Sequence, residues 1–289
     1  METDPLRSRS QLVSKAILCC AGALLFLIGV AIYQHPASVF PSDMFAAAIT
    51  IVATAVFGLT AACTQYAKTT KSKLALLIGA VVGALQGLIE MANIAFEYSS
   101  HGSKAVHTLA VPLSMASMIL LFSGSGSLTY DRTSSLRSAT LSGVWCAVVG
   151  TLLTGLFGFA YNMLEMPYMV QIMQTKFALS GLTDARAYVV RNTIESASTH
   201  FFLAPVMGSI CGSIGGFVSS QLRGRKRSVA ILLTGMCSGL LITSIAVIRF
   251  GLNLARVDRA PYISCGMMGV ALALTCLWPA TRAVLYDKT

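Results

Sequence analysis

Residues 74–96 read LALLIGAVVGALQGLIEMANIAF and carry only three strongly polar side chains, Gln86, Glu90 and Asn93. A helix of about 20 mostly apolar residues can cross the hydrocarbon core of a bilayer, so this segment is a predicted membrane span. Seven other segments have the same character: 16–33, 44–66, 106–128, 139–164, 199–221, 229–249 and 262–280. The sequence therefore predicts an all-α, polytopic membrane helical bundle of about eight transmembrane helices, forming one transmembrane domain over residues 1–289.

The composition of the whole chain agrees with this prediction. Of its 289 residues, 55% are hydrophobic and 11% are charged, and the mean hydropathy is +0.72. An average soluble protein is about 25% charged. The apolar content excludes an ordinary soluble domain, and it equally excludes a disordered chain, which would be poor in apolar residues.

Basic residues are unevenly divided between the two ends of the predicted spans. When successive loops are assigned to alternate sides, the side of the N-terminus receives 14 of the 21 Lys and Arg residues. Cytoplasmic loops carry an excess of such residues, which predicts cytoplasmic N- and C-termini in a bacterial-type inner membrane. A basic run in this set is expected to contact anionic lipid headgroups, and no nucleic-acid partner is predicted. This run contains Arg223, Arg225, Lys226 and Arg227.

Two predicted helix hairpins, residues 74–128 and 139–221, have similar patterns. Gly87, Ala92 and Glu97 of the first align with Gly155, Ala160 and Glu165 of the second, and His107 and His200 each lie five residues before a proline. The pattern favours a parallel repeat about an axis along the membrane normal, as in the halves of some transporters. Chance agreement is the alternative, because few positions match.

The second hairpin contains an insertion, residues 165–198, which we expect to be an outer loop. Pro167 opens an amphipathic run, Ser180 and Gly181 interrupt it, and Thr183 can cap a second helix. The pattern predicts two short interfacial helices at the outer surface. A loop of this length serves as a lid, as a docking surface or as a passive cover.

Polar residues on one face of the third predicted span are the main candidates for function. Gln86, Glu90, Asn93 and Glu97 are spaced by four, three and four residues, which places them on the same side of a helix. A carboxylate in the apolar part of a span is costly to insert and is a functional candidate by default, which applies to Glu90. The alternative is a structural carboxyl group that is hydrogen-bonded to a neighbouring helix or paired with Arg249 near the outer end of the seventh predicted span.

A second group of polar residues gathers at the outer end of the fifth predicted span and comprises Tyr161, Asn162 and Glu165. If the repeat is real, Glu97, His107, Glu165 and His200 lie near one outward vestibule. Carboxylates and imidazoles can bind a divalent cation or relay protons. Their spacing matches no metal motif, so four separate interfacial side chains are the favoured interpretation. We predict no metal site and no cofactor.

Glycines recur every four residues in two of the predicted spans: Gly79, Gly83 and Gly87 in the third, and Gly208, Gly212 and Gly216 in the sixth. Small residues at this spacing allow two helix backbones to approach closely. We therefore expect these glycines to be helix-packing positions.

Enzyme motifs are absent from the sequence: it contains no HExxH, no GxxxxGK[ST] and no GxSxG. The favoured function is that of a transporter or permease for a small solute or cation, with Glu90 as the coupling or substrate-binding carboxylate. One alternative is a membrane-embedded enzyme acting on a lipid-linked substrate at the outer leaflet. The other is a non-catalytic membrane partner that docks another protein through residues 165–198.

Overall fold

The computed structural model describes residues 5–39, 44–67, 69–99 and 104–221, without the side chains of 5–7, 9, 95–99, 104–115 and 221. This part of the chain is helical and contains no strand. Its helices are α1 (Pro5–Gln34), α2 (Met44–Thr64), α3 (Thr70–Ser99), α4 (Lys104–Thr133), α5 (Leu136–Leu164), α6 (Met166–Ile172), α7 (Gln174–Ala178) and α8 (Ala185–Gln221). A short 3-10 turn, Pro36–Ser38, follows α1.

Five of these helices are long and apolar enough to cross a membrane. Their spans are Ser10–Gln34, Met44–Thr64, Thr70–Ile94, Leu136–Leu164 and Ala185–Ser220. The all-helical prediction is thus confirmed, and the five apolar helices indicate a membrane protein. The predicted span 106–128 lies in α4, which is not among the five.

Several predictions fall outside the described residues. They concern the spans 229–249 and 262–280 and the basic run from Arg223 to Arg227. The count of eight spans and the cytoplasmic position of both termini therefore stay predictions.

Helix α5 lies at the centre of the described bundle. It packs on α1, α3, α4 and α8, while α2 lies against α1 and α8. Half of its most apolar window is buried, a larger share than in the other four spans. Its large side chains Trp145, Leu152 and Phe159 are almost fully enclosed. A helix surrounded in this way must be apolar on most of its faces, as the sequence of α5 is.

A tight turn of two serines joins α4 to α5. Ser134 has a φ of 51°, in the left-handed region that residues other than glycine seldom adopt. Ser135 then caps α5, because its side chain accepts a hydrogen bond from the backbone N–H of Ser138 at 3.3 Å. The turn makes α4 and α5 antiparallel neighbours.

Close contacts between backbones hold α3 against α5. They occur at Gly79, Gly83 and Gly87. A Cβ atom added to Gly79 would lie 2.6 Å from the carbonyl oxygen of Ser142, and one added to Gly87 would lie 2.9 Å from Cβ of Leu153. Real Cβ atoms do not approach other atoms this closely, so the two backbones lie at a distance that only glycine permits.

Helix α8 approaches α5 through a similar set of small residues. A Cβ atom added to Gly208 would lie 2.5 Å from the carbonyl oxygen of Gly143, and one added to Gly212 would lie 2.8 Å from its Cα. At Gly216 the nearest atom would be Cβ of Ala139, at 2.5 Å. We call the contact of α5 with α3 at Gly79, Gly83 and Gly87 the first glycine seam. Its contact with α8 at Gly208, Gly212 and Gly216 is the second glycine seam.

Helix α8 is continuous over 37 residues and contains Pro205. The sequence predicted a short interfacial helix before residue 199, separate from the following span. The structure differs because residues 185–204 contain no glycine or proline that would end a helix. The helix is about 55 Å long by its rise per residue, against about 30 Å for the hydrocarbon core. If its C-terminal part spans the membrane, its first turns extend beyond that core.

The short helices α6 and α7 fold back beside this first part of α8. Met169 and Met173 are buried against Val189 of α8. Asp184 precedes α8, and its carboxylate accepts the backbone N–H of Arg186 at 2.9 Å. The helix is therefore capped one residue later than Thr183, the cap that the sequence suggested.

The predicted repeat pairs α3 with α5 and α4 with α8. Both pairs are in contact. However, α4 also packs on α5, whereas no contact of similar extent joins α3 to α8 in the described part of the chain. The repeat therefore stays a prediction.

Replacing Gly83 by alanine should destabilise the protein by about 1–3 kcal/mol, because the added methyl group overpacks the contact between α3 and α5. Gly22→Ala is the matched control, since a Cβ atom at Gly22 would meet no described atom within 4 Å. Alanine there should be neutral or stabilising by up to about 1 kcal/mol. Thermal unfolding in detergent measures both variants. Equal melting temperatures for Gly83→Ala and the wild type would contradict the close approach of the two helices.

Candidate functional site

A polar cluster joins α3 and α4 next to the first glycine seam. Gln86 of α3 is 2% exposed. Its Nε2 donates a hydrogen bond to Oε1 of Glu90 at 2.8 Å, and its Oε1 accepts one from the hydroxyl of Ser117 in α4 at 3.4 Å. A Cβ atom added to Gly150 of α5 would lie 3.3 Å from Cγ of Gln86. Gln86 therefore lies where three helices meet, and we call Gln86, Glu90 and Ser117 the Glu90 cluster.

Glu90 lies one helical turn from Gln86 and is half-buried. An ionised carboxylate at the middle of a membrane helix costs about 3 kcal/mol to insert, and the cost is smaller at Glu90, which lies four residues before the end of the span Thr70–Ile94. The Gln86 amide offsets part of this cost, because a hydrogen bond to a charged acceptor contributes about 1.5–3 kcal/mol. The cluster thus places a carboxylate in an apolar helix with chemistry suited to a proton or a cation.

The rest of the predicted polar face of α3 is described in part. Asn93 is half-buried at the next turn beyond Glu90. The side chains of Glu97 and His107 lie outside the described residues. The described part of this polar face therefore runs from Gln86 through Glu90 to Asn93.

Asn162 links α5 to α8 farther along the bundle. The residue is 6% exposed, and its Nδ2 donates to the hydroxyl of Thr193 at 2.7 Å. Thr193 in turn donates to the carbonyl oxygen of Val189 at 2.8 Å. Within the described part of the chain, Oδ1 of Asn162 is buried and has no partner.

The other residues predicted for the vestibule lie in different surroundings. Tyr161 is half-buried, and its ring centroid lies 5.7 Å from that of Phe157. Glu165 is exposed at the junction of α5 and α6, where its backbone N–H donates to the carbonyl oxygen of Tyr161. His200 is exposed, with Nδ1 at 2.8 Å from the carbonyl oxygen of Ser196.

The contacts of the first glycine seam give the distance along the bundle axis between the Glu90 cluster and Asn162. Gly83 faces Cys146 and Val149, and Gly87 faces Gly150 and Leu153, so α3 and α5 run parallel. By this register Glu90 is level with about residue 154 of α5, and Asn162 lies about 12 Å farther along the axis. The two groups are thus at different depths. Among the described residues, no group of three or more His, Cys, Asp and Glu side chains is placed to hold a metal ion.

Hydroxyl pairs between helices accompany the second glycine seam. Oγ of Ser127 lies 2.6 Å from that of Ser219, and the hydroxyl of Thr140 lies 2.8 Å from that of Ser213. Ser142 donates to the carbonyl oxygen of Ser125 at 3.3 Å. These groups link helices in a region where backbones touch, so they have the geometry of helix connections.

Sequence reasoning did not identify Thr193 as the partner of Asn162. The two residues are 31 positions apart, and their contact depends on the antiparallel register of α5 and α8. A threonine inside a helix carries no distinguishing signal, because it commonly bonds to the carbonyl group of the preceding turn.

Comparisons with known proteins add no relative: no family model, no curated protein and no solved structure matches this chain.

Removing the Thr193 hydroxyl, which accepts from the Asn162 amide, should lower the free energy of unfolding. Thr193→Val leaves a buried carboxamide without this partner, and we expect a loss of about 1–3 kcal/mol in the free energy of unfolding. The double variant Asn162→Leu, Thr193→Val should recover most of that loss, since replacing both partners by apolar groups is nearly neutral. Thermal or chemical unfolding of the two single variants and the double variant measures the coupling. Additive effects would contradict the hydrogen bond.

Proposed function

We propose that this protein is a transporter-like or permease-like membrane protein that binds a small solute or cation at Glu90. The observation that carries the proposal is the half-buried Glu90 carboxylate held by the almost fully buried amide of Gln86. Charged residues inside membrane helices characteristically mark ion, proton or substrate pathways.

The hydrogen bond from Gln86 orients the Glu90 carboxylate along α3. Within the Glu90 cluster, the described hydrogen bond between α3 and α4 joins Ser117 to Gln86. Gln86 donates to Glu90 within the same helix, and it could donate equally to an uncharged amide at that position. A glutamine at position 90 would keep this acceptor and lose the negative charge, and that charge is the feature that a cation or a proton requires.

The proposal includes the topology indicated by the sequence. The basic end of the bundle faces the cytoplasm in a bacterial-type inner membrane, and eight spans return the C-terminus to that side. Glu90 then lies toward the outer end of α3, with Asn93, Glu97 and the vestibule residues farther out.

Substitution of Glu90 by glutamine tests the proposed ligand site. Purified protein is screened by thermal shift against cations, a pH series, amino acids and sugars, and any stabilising ligand is then tested for uptake into liposomes. A ligand at a hundred times its Kd should stabilise the fold by about 2.7 kcal/mol. We expect Glu90→Gln to abolish the shift and the uptake while keeping the fold, because the new amide oxygen still accepts from Gln86.

Asp131→Asn is the matched control for this experiment. Asp131 is an exposed carboxylate at the opposite end of the bundle, so its neutralisation should leave ligand binding unchanged. Retained binding and uptake in Glu90→Gln would overturn the proposal. If no ligand in the panel shifts the wild type, a partner role for residues 165–198 or an enzyme acting at the outer leaflet becomes the better explanation.

The proposed topology makes a separate prediction. Green fluorescent protein fused after Thr289 should fluoresce, and alkaline phosphatase fused at the same place should be inactive, because both termini face the cytoplasm. The same reporters placed between Ser180 and Leu182 should give the opposite result. An active phosphatase at the C-terminus would contradict the even number of spans or the orientation.

A further inference from the structure

A cleft of about 260 Å³ opens where α1, α5, α6 and α8 come together. It is lined by Gln34, His35, Met163, Met166, Pro167 and Arg186. None of these described lining residues belongs to α3 or α4, so the cleft is separate from the Glu90 cluster. Its lining combines a cation, an imidazole and an amide with three apolar side chains.

Arg186 supplies the positive charge of the cleft. Its side chain is exposed, and within the described part of the chain no carboxylate is paired with its guanidinium group. Guanidinium presents a planar set of N–H donors that matches the oxygens of a phosphate. The N–H groups of Arg186 are therefore available to a ligand that enters the cleft.

The neighbouring carboxylate is already engaged by groups of the protein. Oδ1 of Asp184 accepts the backbone N–H of Arg186 at 2.9 Å, and Oδ2 lies 3.8 Å from Nδ1 of His35. The His35 side chain is 16% exposed, and that of Asp184 is 48% exposed. Oδ1 of Asp184 is thus bound to a backbone N–H, and Oδ2 lies near the His35 ring.

The position of the cleft places it at the edge of the apolar layer. The span of α1 ends at Gln34, and that of α5 ends at Leu164. Tyr33 and Leu164, each next in sequence to a cleft residue, are 88% and 80% exposed. Aromatic and aliphatic side chains at such a boundary contact the interfacial region of a bilayer.

We propose that this cleft binds a phosphate-bearing ligand. The phosphate contacts Arg186 and the amide of Gln34, and the apolar part of a lipid ligand lies along Met163, Met166 and the exposed Leu164. The cleft is slightly smaller than pockets for drug-sized ligands, which measure about 300–1,000 Å³. It therefore holds a lipid headgroup, and the acyl chain lies outside it. The phosphate belongs to a membrane phospholipid or to a soluble phosphate compound, and the experiment separates these sources.

The test is a thermal-shift titration of the full chain in detergent with three probes. These are dioleoylphosphatidylglycerol, dioleoylglycerol, which has the same chains without phosphate, and inorganic phosphate. We expect the phospholipid to raise the melting temperature and dioleoylglycerol to leave it unchanged. Arg186→Gln should weaken phospholipid binding about tenfold, the loss that removal of a charge-assisted hydrogen bond produces.

Lys176→Gln is the matched control, because Lys176 is an exposed cation on α7 that does not line the cleft. It should bind the phospholipid as the wild type does, and so should Glu90→Gln, since the cleft is independent of the Glu90 cluster. A shift with inorganic phosphate as large as that with the phospholipid supports the site and assigns it to a soluble phosphate compound. Equal shifts with the phospholipid and dioleoylglycerol would overturn the proposal. Unchanged phospholipid binding in Arg186→Gln, or no shift with either phosphate-bearing probe, would also overturn it.

Discussion

The close approach of α5 to α3 and α8 is the contact on which the described bundle depends. In a bilayer the lipid chains are as apolar as the side chains, so helices associate mainly through van der Waals packing and hydrogen bonds. The glycine seams provide that packing by bringing backbone atoms into contact. The same approach places Gln86 beside Gly150 and thereby fixes the depth at which Glu90 lies along the bundle.

The two buried amide side chains beside the seams, Gln86 and Asn162, differ in how many of their hydrogen-bonding groups have a partner. The Gln86 amide employs both its donor and its acceptor, one toward Glu90 and one toward Ser117. The Asn162 amide employs only its donor among the described groups, which leaves a buried carbonyl oxygen. A buried acceptor of this kind costs free energy unless water or another donor reaches it. Both amides link two helices, but among the described groups only that of Gln86 has partners for its donor and its acceptor.

Local patterns in the sequence account for most of the fold, whereas contacts between distant residues do not follow from them. Apolar runs predicted the membrane helices, since span length is a property of the segment itself. The continuity of α8 was missed, although the absence of glycine and proline over 185–204 is visible in the sequence. The Gln86–Glu90 bond follows from helical spacing, but its link to Ser117 depends on tertiary register. The cleft at Arg186 combines residues from several elements, none of which is distinctive alone.

Pro205 affects the resistance of α8 to bending. A proline inside a helix removes one backbone hydrogen bond and weakens resistance to bending at that point. On its C-terminal side the helix is clamped by the seam at Gly208, Gly212 and Gly216, while its N-terminal arm carries Arg186 about 28 Å away. A bend of only 5° at the proline would swing that arm by about 2.5 Å. The hydrogen bond from Asn162 to Thr193 and the buried side chains of Val190 and Ile194 oppose such a swing, so these contacts hold the arm against the bundle.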